Sequence, residues 1–181
     1  VIASDKTGTL TKNEMTVRVV VTASGRVLFG GTGYIPEGEV HQDSGKPIEE
    51  PLRFELIRAL AAGDRANNAV LHRLDGRWAV QGDPTEGALI VAARKAGLTQ
   101  ETLDARLKRV GEVPFSSERK LMSTVHTDAE RQERLLVFTK GAPDILLANC
   151  SHELVGEETK PLTDQRRKQI LASNEHLAGE A

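Results

Sequence analysis

A chain of 181 residues, 39% hydrophobic and 28% charged, has enough material for one ordinary domain with its own core, in the compositional range of globular rather than disordered or membrane proteins. Its 24 basic and 26 acidic residues leave a formal net charge of -2, which excludes an overall field that would draw nucleic acid or anionic lipid, so any anion site has to be local. Cys150 is the sole cysteine, which rules out an internal disulfide and makes a reducing compartment the expectation, and the longest apolar runs, Val17 to Val21 and Ala88 to Ala93, fall far short of the roughly 20 residues of a membrane span.

Val1 to Ser4 is a short apolar run that stops at Asp5, the pattern of a buried strand ending at a functional loop. The start at Val1, without a signal or targeting pattern, reads as a piece of a longer chain. Met15 to Ser24 is rich in valine and threonine, Ser24-Gly25 supplies a turn and Arg26 to Phe29 resumes the β pattern, which predicts a hairpin. Residues 30 to 51 carry glycine and proline among polar residues and read as a long surface connection. Leu52, Leu56, Ile57 and Leu60 recur at helical spacing, so a helix is expected from about Pro51 to Ala62, ended by Gly63.

Asp83-Pro84-Thr85-Glu86 combines a capping acid, proline at the first helical position and a glutamate at the third, and opens a second helix through Lys95. A short helix follows near Gln100 to Lys108. Arg109 to Phe115, Lys120 to Thr127 and Arg134 to Lys140 are strand-like and predict an antiparallel meander. Pro143 opens a helix through Cys150, and Thr163-Asp164 caps a last one from about Gln165 to Ala178. Strands that cluster and join locally, with helices between the groups, give an α+β class with an antiparallel sheet flanked by helices.

The most specific string is Asp5-Lys6-Thr7-Gly8-Thr9-Leu10-Thr11. An aspartate at a strand end can attack a γ-phosphate as a carboxylate nucleophile, provided a cation and nearby donors offset the repulsion between the two anions. Asp5 would accept the phosphoryl group, Lys6 would add positive charge, Thr7, Thr9 and Thr11 would donate, and Gly8 would let the backbone approach. Magnesium would bridge carboxylate and phosphate, with Asp5 and Thr7 as an incomplete protein set for it. An aspartate that merely caps the next turn is the plain alternative.

With its continuation Lys12-Asn13-Glu14-Met15-Thr16-Val17, the heptad resembles the signature of P-type ATPases, pumps that pass through an aspartyl-phosphate. The resemblance implies that residues 1–13 are a phosphorylation-domain segment and hinge. Residues 14–181 would be the inserted nucleotide-binding domain, on the cytoplasmic side of an integral membrane protein. ATP or ADP, Mg2+ and the remaining phosphorylation, actuator and membrane domains would be the partners, with no nucleic acid, and the piece itself would be a soluble monomer.

Three further strings carry the resemblance along the chain. Gly82-Asp83-Pro84-Thr85-Glu86-Gly87-Ala88-Leu89 looks like the family segment whose glutamate bonds near the adenine amino group, a role carried to Glu86. Taken alone, Glu86 equally completes a capping box. Val113-Pro114-Phe115-Ser116-Ser117-Glu118-Arg119-Lys120-Leu121-Met122-Ser123 looks like the segment whose phenylalanine stacks on adenine and whose lysine reaches the nucleotide. Phe115 and Lys120 take those roles, and in an unbroken strand Met122 would share a pocket wall with Lys120. Ser117 stands where some calcium pumps have an arginine.

Phe138-Thr139-Lys140-Gly141-Ala142-Pro143-Asp144 resembles the Lys-Gly-Ala-Pro-Glu motif and implies that Lys140 lies deep in the pocket, with Gly141 leaving room for a ligand ring. Alone, these residues also fit a core phenylalanine and solvated lysines. Asp64 and Asn67 match a Cys-Asn-Asp type string poorly and receive no catalytic role, and the five histidines lack zinc spacing.

The strings favour the calcium and sodium/potassium branch, calcium first. Without the lysine, Thr-Gly-Asp and Gly-Asp-Gly strings of a complete phosphorylation domain, the chain is expected to bind ATP but not turn it over. A haloacid-dehalogenase-type phosphatase would want an acid where Thr7 stands. A partner-binding module would use the loop from Gly30 to Gly45.

Overall fold

The computed structural model describes residues 14–132 and 134–180. The segment holding Asp5, Lys6 and Thr7 lies outside the described residues. Fifteen elements are present among those described, and every strand pairing is antiparallel. The strands form four small sheets rather than one, of orders β1-β2-β3, β4-β5, β6-β7-β8 and β10-β9.

Strands β1 (Val19–Val21) and β2 (Arg26–Phe29) form the expected hairpin, and β3 (Val40–Gln42) pairs with β2. The connection from 30 to 51 therefore contributes a strand as well as surface loop. Val27 and Phe29 point inward and meet Leu52, Leu56 and Leu60 of α1 (Leu52–Arg65) together with Ala92 and Ala93 of α2 (Pro84–Lys95). These are the leucines whose spacing predicts the helix, and burying each such side chain stabilises the fold by about 1.5–3 kcal/mol.

Gly63 does not end α1. The helix runs two residues further, the Ala66 N–H still bonds to the Ala62 carbonyl, and Gly63 faces Leu89 of α2 across the helix pair. Glu55, 3% exposed, ties α1 to distant turns by accepting from the Ser24 N–H at 2.9 Å, the Ser24 hydroxyl at 2.6 Å and the Gly156 N–H at 2.5 Å. Burial pushes its carboxyl pKa up, and these bonds outweigh that and hold it below the usual range.

Hairpin β4 (Val70–Leu74) and β5 (Arg77–Gln81) was not anticipated from the sequence. Its turn is Asp75-Gly76, with φ of 50° and 77°, the left-handed pair that a two-residue hairpin turn needs and that aspartate-glycine readily adopts. The hairpin packs on α2, where a Cβ added at Gly87 would come within 2.6 Å of Val80.

After α3 (Gln100–Arg106), the meander β6 (Leu107–Ser116), β7 (Leu121–Asp128) and β8 (Leu135–Gly141) is the predicted one. One face of β7, made by Met122, Thr124, His126 and Asp128, is buried, and the Thr124 hydroxyl donates to the Arg65 carbonyl at the end of α1. Helix α4 (Pro143–Ala148) follows, then a second unanticipated hairpin of β9 (His152–Val155) and β10 (Glu158–Pro161), and finally α5 (Asp164–Gly179), whose cap Thr163 accepts from the Arg166 N–H as expected. No helix among the described residues is long and apolar enough to cross a membrane.

His126 is 1% exposed, its ring edge-on to Phe138 at 5.3 Å and Nε2 3.0 Å from the Thr124 hydroxyl. Burial, reinforced by Arg65 and Arg109, lowers its pKa from the ordinary value. The unfolded chain therefore binds a proton that the folded one refuses, so stability is complete above about pH 6.5 and falls as pH drops below it. The melting temperature is expected to decline from pH 7.5 to pH 5.5 in calorimetry, and His126→Gln to flatten that slope. An equal slope in both proteins would remove His126 from the account.

Candidate functional site

The first turn of α2 is held by Asp83, whose carboxylate accepts from the N–H groups of Thr85 at 2.8 Å and Glu86 at 3.2 Å. The cap is as predicted, but the carboxylate of Glu86 does not return to the backbone at Asp83 to close a capping box. One oxygen, Oε1, accepts from Lys140 Nζ at 2.6 Å, and the other, Oε2, accepts from the Asn68 N–H at 3.0 Å. Two residues 54 apart in sequence, both singled out by motif, thus form an ion pair, with 15% of the Glu86 and 25% of the Lys140 side chain exposed.

The meander gathers the other motif residues at one end. Lys140 stands opposite Met122 on the neighbouring strand, Gly141 stands opposite Leu121, and Leu121 also pairs with Ser116, the residue after Phe115. Between Ser116 and Leu121 the chain makes a tight turn closed by a 2.7 Å bond from the Lys120 N–H to the Ser116 carbonyl. Arg119 braces it by donating to the carbonyls of Pro114 at 2.8 Å and Leu121 at 3.1 Å.

Three expectations about this end change. Lys120 belongs to the turn, with a left-handed φ of 54°, so strand alternation does not put it on a wall with Met122. Met122 is 2% exposed and packs in the interior, leaving almost no surface for a ligand. At Gly141 the room a side chain would need is already filled. An added Cβ would run into the Lys120 carbonyl oxygen, 2.7 Å from Leu121 Cδ2 and 3.0 Å from Leu121 Cα. The glycine is required by the meeting of two protein segments, which a 3.1 Å bond from the Ala142 N–H to the Lys120 carbonyl pins together.

Phe115 is 61% exposed, a large ring left on the surface at the open end of the sheet. A core role for it is thereby excluded, and a ring so placed is available to stack. The cavities of about 720, 320 and 310 Å³ lie elsewhere, and none of the six motif residues lines them. The widest opens between the β1–β2 turn, α1 and α5.

Asp64, given no catalytic role, is a structural anion. Its carboxylate contacts Arg65 at 2.5 Å and Arg94 at 2.8 Å with 1% of the side chain exposed, and Arg65 also pairs with Asp104 at 2.6 Å. Asn67, named with Asp64 above, and three residues not singled out by sequence surround Glu86 instead. Asn67 donates to the Glu86 carbonyl at 2.9 Å, and the Asn68 side chain donates to Glu112 at 2.8 Å and accepts from Arg109 at 2.9 Å. For Asn68, Arg109 and Glu112 the trace in the sequence is an Asn-Asn pair between two elements and an i, i+3 charge pair in a strand. No group of three or more histidine, cysteine, aspartate or glutamate side chains among the described residues could hold a metal ion, and the magnesium expected at Asp5 and Thr7 falls outside them.

The family model for the P-type ATPase, cytoplasmic domain N, matches residues 55–181. The chain belongs to the P-type ATPase family. The chain is 42% identical over 178 residues to the probable cation-transporting ATPase F of Mycobacterium bovis, covering 98% of this chain and 19% of that one. It is 34% identical over 188 residues to the calcium-transporting ATPase of Bacillus subtilis, with 100% of this chain and 20% of the other covered. The calcium-transporting ATPase type 2C member 1 of Bos taurus is 40% identical over 169 residues, 92% of this chain and 17% of the other. The chain therefore spans about a fifth of the length of these relatives. Glu86, Phe115, Lys120, Met122, Lys140 and Gly141 all fall within the residues that the family model matches.

Proposed function

We propose that this N domain binds ATP at the end of the meander, and that within a membrane cation pump it presents the γ-phosphate to Asp5, the phosphoryl acceptor. The observation that carries the reading is the 2.6 Å pair between Glu86 and Lys140, which joins two independent motifs at the end of the sheet where Phe115 stands exposed. Phe115 stacks on the purine, an interaction worth about 1–3 kcal/mol. Lys120 supplies positive charge for the phosphates, Lys140 lies beside the base, and Glu86 has acceptor capacity left for an exocyclic amino group, since a carboxylate offers about four lone-pair sites and two are used. Magnesium would supply charge neutralisation at the phosphates, with Asp5 and Thr7 as the residues that would hold it and Lys6 adding positive charge beside the acceptor. The domain alone binds nucleotide without turnover. The names of two of the relatives, calcium-transporting ATPases, support calcium as the ion moved by the whole pump.

Fluorescence titration of the chain with ATP is expected to saturate, and Phe115→Ala to raise Kd tenfold or more, the equivalent of about 1.4 kcal/mol. Absence of binding, or binding that ignores Phe115→Ala, would end this assignment.

A further inference from the structure

Glu86 and Lys140 are not held by their own helix and strand alone. The Arg109 guanidinium pairs with Glu112 at 2.6 Å and donates at 2.9 Å to the side-chain oxygen of Asn68. The amide of the same side chain donates at 2.8 Å to the other oxygen of Glu112. Asn68 is thereby fixed at both ends of its amide, and its backbone N–H is aimed at Glu86 Oε2, whose second oxygen meets Lys140 Nζ. Arg109 also bonds the Asn67 carbonyl at 3.0 Å, and Asn67 bonds the Glu86 carbonyl at 2.9 Å, so the loop after α1 is gripped from both sides.

We infer that Asn68, Arg109 and Glu112 are positioning residues for the nucleotide site, a three-residue clamp that fixes the Glu86 carboxylate and through it the Lys140 ammonium. The inference rests on the nucleotide reading above and adds to it three residues outside the quoted motifs, Asn68 in the loop after α1 and Arg109 and Glu112 in β6. Its physical basis is that lysine has a long, flexible stem, and an ammonium aimed by one carboxylate is only as well placed as that carboxylate. A carboxylate with one oxygen on a fixed backbone N–H cannot swing about its terminal torsion, so the second oxygen presents one direction to Lys140. The Asn68 amide also orients the clamp. Its oxygen faces a cation and its nitrogen an anion, an assignment that reversal would convert into two repulsive contacts.

The test uses the full chain and two readouts. Glu112→Ala removes the acceptor for Asn68 and is expected to raise the ATP Kd about fivefold, while Glu112→Gln, which keeps a carbonyl oxygen at that place, recovers most of the loss. In the Glu86→Ala background Glu112→Ala adds less than about twofold, because a residue acting through the Glu86 carboxylate has nothing left to act on. An unchanged Kd, or the same fivefold cost in both backgrounds, overturns the inference, since a purely structural residue costs the same in each.

The second readout needs no nucleotide. The rate at which an amine-acetylating reagent modifies Lys140, relative to Lys160 in the same sample, is expected to rise severalfold in Glu112→Ala as the ammonium is released. An unchanged ratio overturns the clamp. Failure of the wild-type chain to take up ATP, with the reactivity ratio shifted as expected, would overturn the nucleotide reading and leave the clamp on Lys140 standing.

Discussion

Gly141→Ala is expected to destabilise the domain by about 3 kcal/mol, read as a lowered midpoint in guanidinium unfolding at unchanged slope. The added methyl meets the Lys120 carbonyl and the Leu121 backbone, neither of which can rotate aside as a side-chain tip could. Relief requires the turn between Ser116 and Leu121 to move off the start of α4, which breaks the bond from the Ala142 N–H to Lys120 and disturbs the pairing of Gly141 with Leu121. Gly179→Ala is the control, because an added Cβ there meets nothing within 4 Å and lies at the end of a helix. That change is expected to be neutral or to stabilise by up to about 1 kcal/mol. Equal midpoints for Gly141→Ala and wild type would mean that the turn yields, and the tight junction would lose its structural importance.

Asp64→Ala is expected to cost about 3–5 kcal/mol in the same experiment. Asp64 bridges two guanidiniums, those of Arg65 and Arg94, and only 9% and 14% of those side chains are exposed. Removing it leaves both cations with reduced compensation in a water-poor site. Arg65 retains Asp104, and Arg94 retains the Leu98 carbonyl and Gln100. Asp64→Asn keeps the volume and loses the charge, so it is expected to sit close to the alanine variant. A loss under about 1 kcal/mol for both variants would show that water replaces the carboxylate.

Much of this architecture is legible in the residues because it is local. Asp83 caps α2 through bonds to neighbours two and three positions on, and the three strands of the meander follow one another with short turns. Where the reading departs from the structure, a partner distant in sequence decides. Gly63 stays helical because α1 continues along α2, and Glu86 forgoes the backbone at its own helix end for an ammonium 54 residues away. Lys120 departs for a local reason, since it is itself the left-handed residue that ends the turn, a conformation that glycine usually fills and lysine seldom does.

Hairpin β9–β10 escapes notice because β10 is exposed throughout and charged, without an apolar face to give it period two. At the candidate site, family resemblance marks the residues that carry rings and charges. It is silent on Asn68, Arg109 and Glu112, whose importance comes only from being folded against Glu86.

The strand orders hold a consequence for how the domain is made. In all four sheets each ladder closes between strands adjacent in the chain, with no crossover that waits for a remote partner. The entropy lost in bringing such neighbours together is small, since loop closure grows only with the logarithm of the intervening length. Low contact order is the mark of fast folding. A unit of this kind can acquire its pairings hairpin by hairpin during synthesis on the ribosome, so it limits the time unpaired strand edges are open to aggregation.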